Sequence, residues 1–247
     1  MKIEEIEKEV NKLESILTPC INEININLDN EYKWAFVPDD NIFSESEKEC
    51  LSNVRDSIFK RNVNLKYILS KKLNDNSSNK NHLYNWILEW GGIHNSKKEE
   101  KDIEDFLKNL EKNINNFPDT ISSLSKIASF KYLNKYFIYD ARVSYVLNWL
   151  LLKNSDNDNI NYFPINDSKN TNISDKYNMH TILTLNNKEF KFYDKKIYYF
   201  LYCKFIQSIT KNNEKFKEPF YLEMMLFSML ENVIDEIKDK VKISIEK

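Results

Sequence analysis

The residues of this 247-residue chain best suited to chemistry lie in one stretch, Ile121 to Leu152, with the sequence ISSLSKIASFKYLNKYFIYDARVSYVLNWLLL. Lys126 stands alone on an apolar, helix-like run, and Asp140 stands where a second helix should begin. An amine and a carboxylate held on successive helices suit attack at a sugar carbon: the amine bonds to carbon while the carboxylate stabilises the positive charge that develops. The lysine must first lose its proton, which apolar surroundings or nearby cations such as Lys131 and Lys135 favour. Aspartate is also among the best helix N-caps, so Asp140 has a structural role that fixes its carboxylate at the positive end of a helix dipole. Arg142, two residues further on, is placed to hold Asp140 or to reach a phosphate.

Several elements must position these groups. Apolar residues at helical spacing (Ile3, Ile6, Val10, Leu13, Ile16, Leu17) predict an amphipathic helix over residues 2–18, ended near Pro19. Residues 32–37, YKWAFV, predict a short strand or extended segment before a turn at Asp39-Asp40. Ser44 with Glu47 makes a capping box for a helix reaching about Val63. The polar run 74–81 predicts a loop, and a helix from about His82 carries Leu83, Trp86, Ile87 and Trp90 on one face until Gly91-Gly92 stops it. Residues 97–115 predict a charged amphipathic helix with Ile103, Phe106, Leu107, Leu110 and Ile114 inward, followed by Pro118-Asp119. Beyond Leu152 lies a long polar loop with an apolar island at Tyr162–Ile165. The run TILTLNNKEFKFY fits either a hairpin about Asn186-Asn187 or a helix. Helices from about Asp194 to Thr210 and from Pro219 to about Lys238 close the chain, and Glu89 and Glu223 on apolar helices are expected to pair with lysines. The predicted class is mainly α, a two-lobed helical bundle with at most a short β element, divided into residues 1–80 and a core of 81–247, or a single compact unit.

Composition removes several functions. Only two glycines occur, Gly91 and Gly92, so there is no P-loop, no dinucleotide fingerprint and no glycine-built nucleophile elbow. Three scattered histidines and three distant cysteines (Cys20, Cys50, Cys203) have no metal-ligand spacing, so neither metal nor cofactor is expected, and free thiols fit a cytoplasmic setting. The acidic, helix-patterned N-terminus is unlike a signal peptide, and no apolar run reaches membrane-spanning length. A hydrophobic fraction of 41% is enough for a substantial core. Net charge is −2, with 36 basic against 38 acidic residues, so nucleic-acid binding would need one basic face rather than an overall basic surface. Only three of the cations are arginines: Arg55, Arg61 and Arg142.

Lys126 on one helix, an apolar segment, and Tyr139-Asp140-Ala141-Arg142-Val143 opening the next resemble the core of the helix-hairpin-helix DNA glycosylases, nearest to their 8-oxoguanine branch. The resemblance covers roughly residues 80–155. It implies that Lys126 attacks the anomeric carbon of a nucleotide flipped from double-stranded DNA and that Asp140 assists departure of the base. It further implies phosphate contacts from Ser123, Ser125, Lys131 and Arg142, and a base pocket drawn from Trp86, Trp90, Tyr139, Trp149 and Phe163. The chain departs from the family where hairpin glycines approach a phosphate, carrying Ser122-Ser123-Leu124-Ser125 instead, and its lysine-to-aspartate spacing is shorter by about one helical turn. The other readings are a non-catalytic helical subunit that binds DNA or a protein partner, for instance in a bacterial defence system, and a plain helical interaction module.

Overall fold

The computed structural model describes residues 3–54, 57–75, 79–94, 98–111, 120–155, 160–186, 189–211 and 213–240. The fold is mainly α. Its helices are α1 (Ile3–Glu23), α2 (Leu28–Glu31), α3 (Glu45–Ser52), α4 (Ile58–Asn74), α5 (Lys80–Trp90) and α6 (Glu100–Glu111). They continue with α7 (Ile121–Lys131), α8 (Ala141–Asn154), α9 (Met179–Asn186), α10 (Tyr198–Lys211), α11 (Pro219–Ser228) and α12 (Leu230–Lys240). A two-residue parallel pair, β1 (Asn161–Tyr162) with β2 (Lys191–Phe192), and a π-helical turn at Asn172–Lys176 complete the described elements.

Helix α1 runs through Pro19 to Glu23 instead of ending there. Proline removes one backbone bond, but Leu17 and Ile21 remain on the buried stripe with Ile6, Val10 and Leu13, and that packing against α8 and α10 carries the last turn. The capping box forms as expected: Ser44 N–H donates to Glu47 Oε2 at 2.8 Å, and Glu47 N–H donates to Ser44 Oγ at 3.4 Å. The helix it opens stops at Ser52, however, and a new cap at Ser57 starts α4. Residues 32–37 are extended but pair with no strand among the described residues. They are tied down by Trp34, whose indole N–H donates to the Trp90 carbonyl at 3.0 Å and whose own carbonyl accepts from Asn62 Nδ2 at 2.9 Å. Residues 179–186 are helical, and Phe192 pairs in parallel with Tyr162, so no hairpin forms; Asn187, Ile114 and Pro118-Asp119 lie outside the described residues. The C-terminal helix breaks at Met229 into α11 and α12.

The segment joining α7 to α8 shapes the centre of the molecule. Tyr136, Phe137, Ile138 and Tyr139 are extended and buried, with no strand beside them among the described residues to take up their backbone groups. Side chains do so instead. Tyr199 and Tyr202 on α10 donate to the carbonyls of Phe137 and Ile138 at 3.1 and 2.9 Å. Ile138 N–H donates to Glu223 Oε2 at 3.0 Å, and Tyr139 N–H donates to Ser125 Oγ at 3.1 Å. Asn148 holds the following loop in the same way, exchanging two 2.8 Å bonds with the backbone of Phe163.

Helix α8 is bound to α12 through Trp149, whose indole N–H donates to Glu236 Oε2 at 2.9 Å. Lys153 and Lys240 reach the other oxygen of that carboxylate at 2.7 and 2.6 Å. Burial opposes the charge on Glu236, but the three donors outweigh it and hold the carboxyl at about 2, against an ordinary 4.5. The unfolded chain therefore takes up this proton first as pH falls. The clamp stabilises fully above pH 4.5 and is lost between there and about 2. Glu236→Gln should be less stable than the parent above pH 4.5, with the gap closing toward pH 2 in urea titrations at stepped pH; a gap that does not vary with pH would refute the clamp.

Candidate active site

Helix α7 is buried along its length from Leu124 to Phe130, which is why a lysine within it is taken out of water. Lys126 is 5% exposed, and its stem crosses the end of α5 at Gly91. A Cβ at Gly91 would sit 2.2 Å from Lys126 Cδ and 2.5 Å from Cε. Gly91 has φ −75°, which any residue adopts, so its lack of a side chain makes room for the lysine rather than relieving the backbone. The ammonium donates to the Ser122 carbonyl at 3.1 Å and faces Asp140 Oδ2 at 3.8 Å. Burial pushes Lys126 below the ordinary lysine range, and the negative charges of Asp140 and Glu223 partly offset that push.

Asp140 caps α8 as its sequence position suggests. Oδ1 accepts from the backbone N–H groups of Arg142 and Val143 at 3.0 and 3.1 Å, leaving Oδ2 on the lysine side. The shorter spacing between the two residues is accommodated because α7 ends at Lys131, a turn follows, and the extended segment 136–139 returns the chain to the level of Lys126.

The pair borders a cleft. Lys126, Asp140 and Glu223 form its charged wall, Tyr32, Trp34, Trp90 and Phe227 its aromatic wall, and Gly91 and Ile138 its floor. Trp34 packs edge-on against Trp90 and Phe227, with ring centroids 6.2 and 5.5 Å away. The open volume is about 20 Å³, room for a water-sized group and too small for a nucleobase. The Trp90 indole N–H is buried and has no acceptor among the described residues.

Behind the cleft lies a second buried pair. Lys66 on α4 faces Glu223 Oε2 on α11 at 3.4 Å, with side chains 3% and 4% exposed. The Lys66 ammonium also sits over the rings of Phe130 and Phe220, 5.2 and 5.4 Å from their centroids. Burial lowers Lys66 and raises Glu223, and their mutual attraction opposes both shifts.

Of the five aromatics expected to grip a base, Trp90 alone lines this cleft. Trp86 is packed against Phe36 and Phe43. Tyr139 is fully buried against Tyr198 and Tyr202, its hydroxyl donating to the Pro164 carbonyl. Phe163 is fully buried beside Tyr193, and Trp149 belongs to the α8–α12 clamp. The aromatic content of these helices fills the core, and Tyr32, Trp34 and Phe227 supply the wall in their place.

The expected phosphate contacts also need correction. Ser125 is fully buried and bonded to Tyr139 N–H, so it presents nothing to DNA. The Ser122–Ser125 run forms the first turns of α7 rather than a hairpin loop, and Ser123 is half-buried on its outer side. The Arg142 guanidinium lies over the Phe227 ring, 4.8 Å from the centroid, and so backs the aromatic wall. Lys131 stays partly exposed beside the Tyr132 ring. Glu89 is exposed, whereas Glu223 does pair with a lysine.

The wall and the second pair left faint marks in the sequence. Lys66 lies three residues from both Val63 and Leu69 on the inward stripe of α4, and Glu223 interrupts the apolar run of α11. A larger hollow of about 400 Å³ lies between α6 and the start of α7, lined partly by Lys98, Asp102, Asp105 and Thr120. Its two aspartates disfavour a phosphate.

Gly91→Ala should displace the Lys126 stem and destabilise the chain by about 1–3 kcal/mol, as overpacking does. Combined with Lys126→Ala, which removes the clashing atoms, the same substitution should cost much less, giving a coupling energy of at least about 1 kcal/mol in a double-mutant cycle by urea unfolding. Additive effects would show that Gly91 does not shape the lysine.

No protein-family model, curated protein or solved structure matches this chain.

Proposed function

We propose that the protein is a DNA N-glycosylase with lyase capacity, in which Lys126 is the nucleophile and Asp140 the assisting carboxylate. One observation carries this reading: the amine and the acid singled out in the sequence face one another at 3.8 Å across a cleft walled by aromatic rings. A nucleobase swung out of a duplex needs flat side chains to stack on, and Trp34, Trp90 and Phe227 supply them once the cleft opens.

The chemistry follows from the geometry. The neutral Lys126 amine adds to C1′ of the extruded nucleotide as the bond to the base breaks, and the base leaves with that electron pair. Asp140 stands beside the sugar carbon and lowers the energy of its positive charge. Its other oxygen is held by two backbone N–H groups, so the acid does not have to reorganise as charge develops. The nitrogen then gives up one proton and the ring oxygen takes one up as the C1′–O4′ bond breaks, leaving an iminium between Lys126 and the opened sugar, from which strand cleavage proceeds by β-elimination.

A second reading, a non-catalytic subunit that binds DNA or a protein, is favoured by the small open volume of the cleft and by the net charge of −2. Borohydride trapping separates the two. Incubated with duplexes that each carry one oxidised or alkylated base, or an abasic site, the protein should form a covalent adduct that is absent in Lys126→Ala. Asp140→Asn keeps a capping oxygen and should fold, but form adduct about 10²–10³-fold more slowly, as for loss of one electrostatic stabiliser. DNA binding with neither adduct nor base release would establish the second reading instead.

A further inference from the structure

The Lys66–Glu223 pair is deeper than the cleft requires if Lys126 and Asp140 act alone. Glu223 is nonetheless a wall residue of the cleft: its carboxylate accepts from Ile138 N–H, faces Lys66, and borders the same open space as Lys126 and Asp140. Two carboxylates, one buried and one half-buried, thus border the single amine of the cleft, and a third element, α4, brings a cation against one of them. We propose that Glu223, held by Lys66 and the Ile138 N–H, is a second acid of the reactive site and the group that takes the proton from Lys126 before its amine can bond to carbon.

The other groups facing Glu223 leave it as the acceptor. Asp140 has one oxygen on the start of α8 and the other facing Lys126 at 3.8 Å, where the reaction needs it ionised to lower the energy of the sugar's positive charge. The hydroxyls of Tyr32 and Tyr202 and the thiol of Cys203, which surround Glu223 from the 32–34 segment and from α10, are pushed up by burial and remain neutral. Arg142 is turned onto Phe227. Burial raises Glu223 and lowers Lys126, bringing their two titrations toward each other. When a substrate excludes water, a neutral amine and a neutral acid are favoured over an ammonium and a carboxylate. The transfer balances: –NH₃⁺ and –COO⁻ become –NH₂ and –COOH with no change in net charge. The open volume of about 20 Å³ is enough for one water molecule to carry the proton between them.

This inference rests on Lys126 being the attacking amine, but its test needs no DNA. The full chain is treated with formaldehyde and cyanoborohydride across a range of pH, and methylation of Lys126 is followed by peptide mass spectrometry. In the native protein the logarithm of the labelling rate should rise with pH in two steps, with an offset where Glu223 titrates. In Glu223→Gln the offset should vanish and the curve shift down by about one pH unit, labelling Lys126 about tenfold faster at neutral pH, because a negative charge that held the proton is gone. Glu223→Asp should keep the offset. Since Glu223→Gln strands Lys66 and can unfold the chain, Lys66→Met/Glu223→Gln removes both charges and should show the same shift. A one-proton curve in the native chain, or an unmoved curve in either folded variant, overturns the coupling and leaves the nucleophile standing. No labelling at any pH overturns both, and coupling without DNA trapping overturns only the glycosylase.

Discussion

The backbone of residues 136–139 is extended, buried and without a neighbouring strand, and the rest of the centre is arranged to satisfy it. An unmet peptide group in a dry interior costs on the order of 1–3 kcal/mol, so each needs a partner. In a sheet a neighbouring strand would provide one; here α7, α10 and α11 send side chains inward to do so. One of those side chains is a glutamate, and a buried carboxylate brings its own requirement. Lys66 on α4 answers it, and the site acquires a second ion pair through the need to hold one peptide N–H.

Neither pair is tight. Charge-assisted hydrogen bonds between ammonium and carboxylate settle near 2.7–2.9 Å. Lys66–Glu223 stands at 3.4 Å and Lys126–Asp140 at 3.8 Å, although the surface clamp at Glu236 reaches 2.6–2.7 Å with two lysines. Buried pairs at such separations recover less of their desolvation cost than close ones do. Lys126 is thus held loosely, and burial disfavours its charge more than the two carboxylates favour it. The missing side chain at Gly91 belongs to the same arrangement, because it leaves room for the lysine stem.

The cleft draws on distant parts of the chain. Tyr32 and Trp34 come from a segment fastened by a few side-chain bonds, Lys126 and Asp140 from the middle, and Glu223 and Phe227 from α11.

The sequence was a good guide wherever the deciding forces are local. Periodic burial placed most of the helices, the Ser44–Glu47 box and the Asp140 cap formed as their chemistry demands, and the lysine and aspartate that stood out along the chain do meet in space. Boundaries at Pro19, Ser52 and Met229 went differently because packing, not propensity, settles where a helix stops. The aromatic wall could not be read off, since a tryptophan or tyrosine at helical spacing looks the same whether it fills the core, as Trp86, Tyr139 and Trp149 do, or lines a cleft, as Trp90 does. Nor could the meeting of Lys66 with Glu223, which are 157 positions apart. Helix start, helix face and class are written in neighbouring residues; which charge is buried beside which depends on how α4, α7 and α11 stack, and that is settled only when the whole core closes.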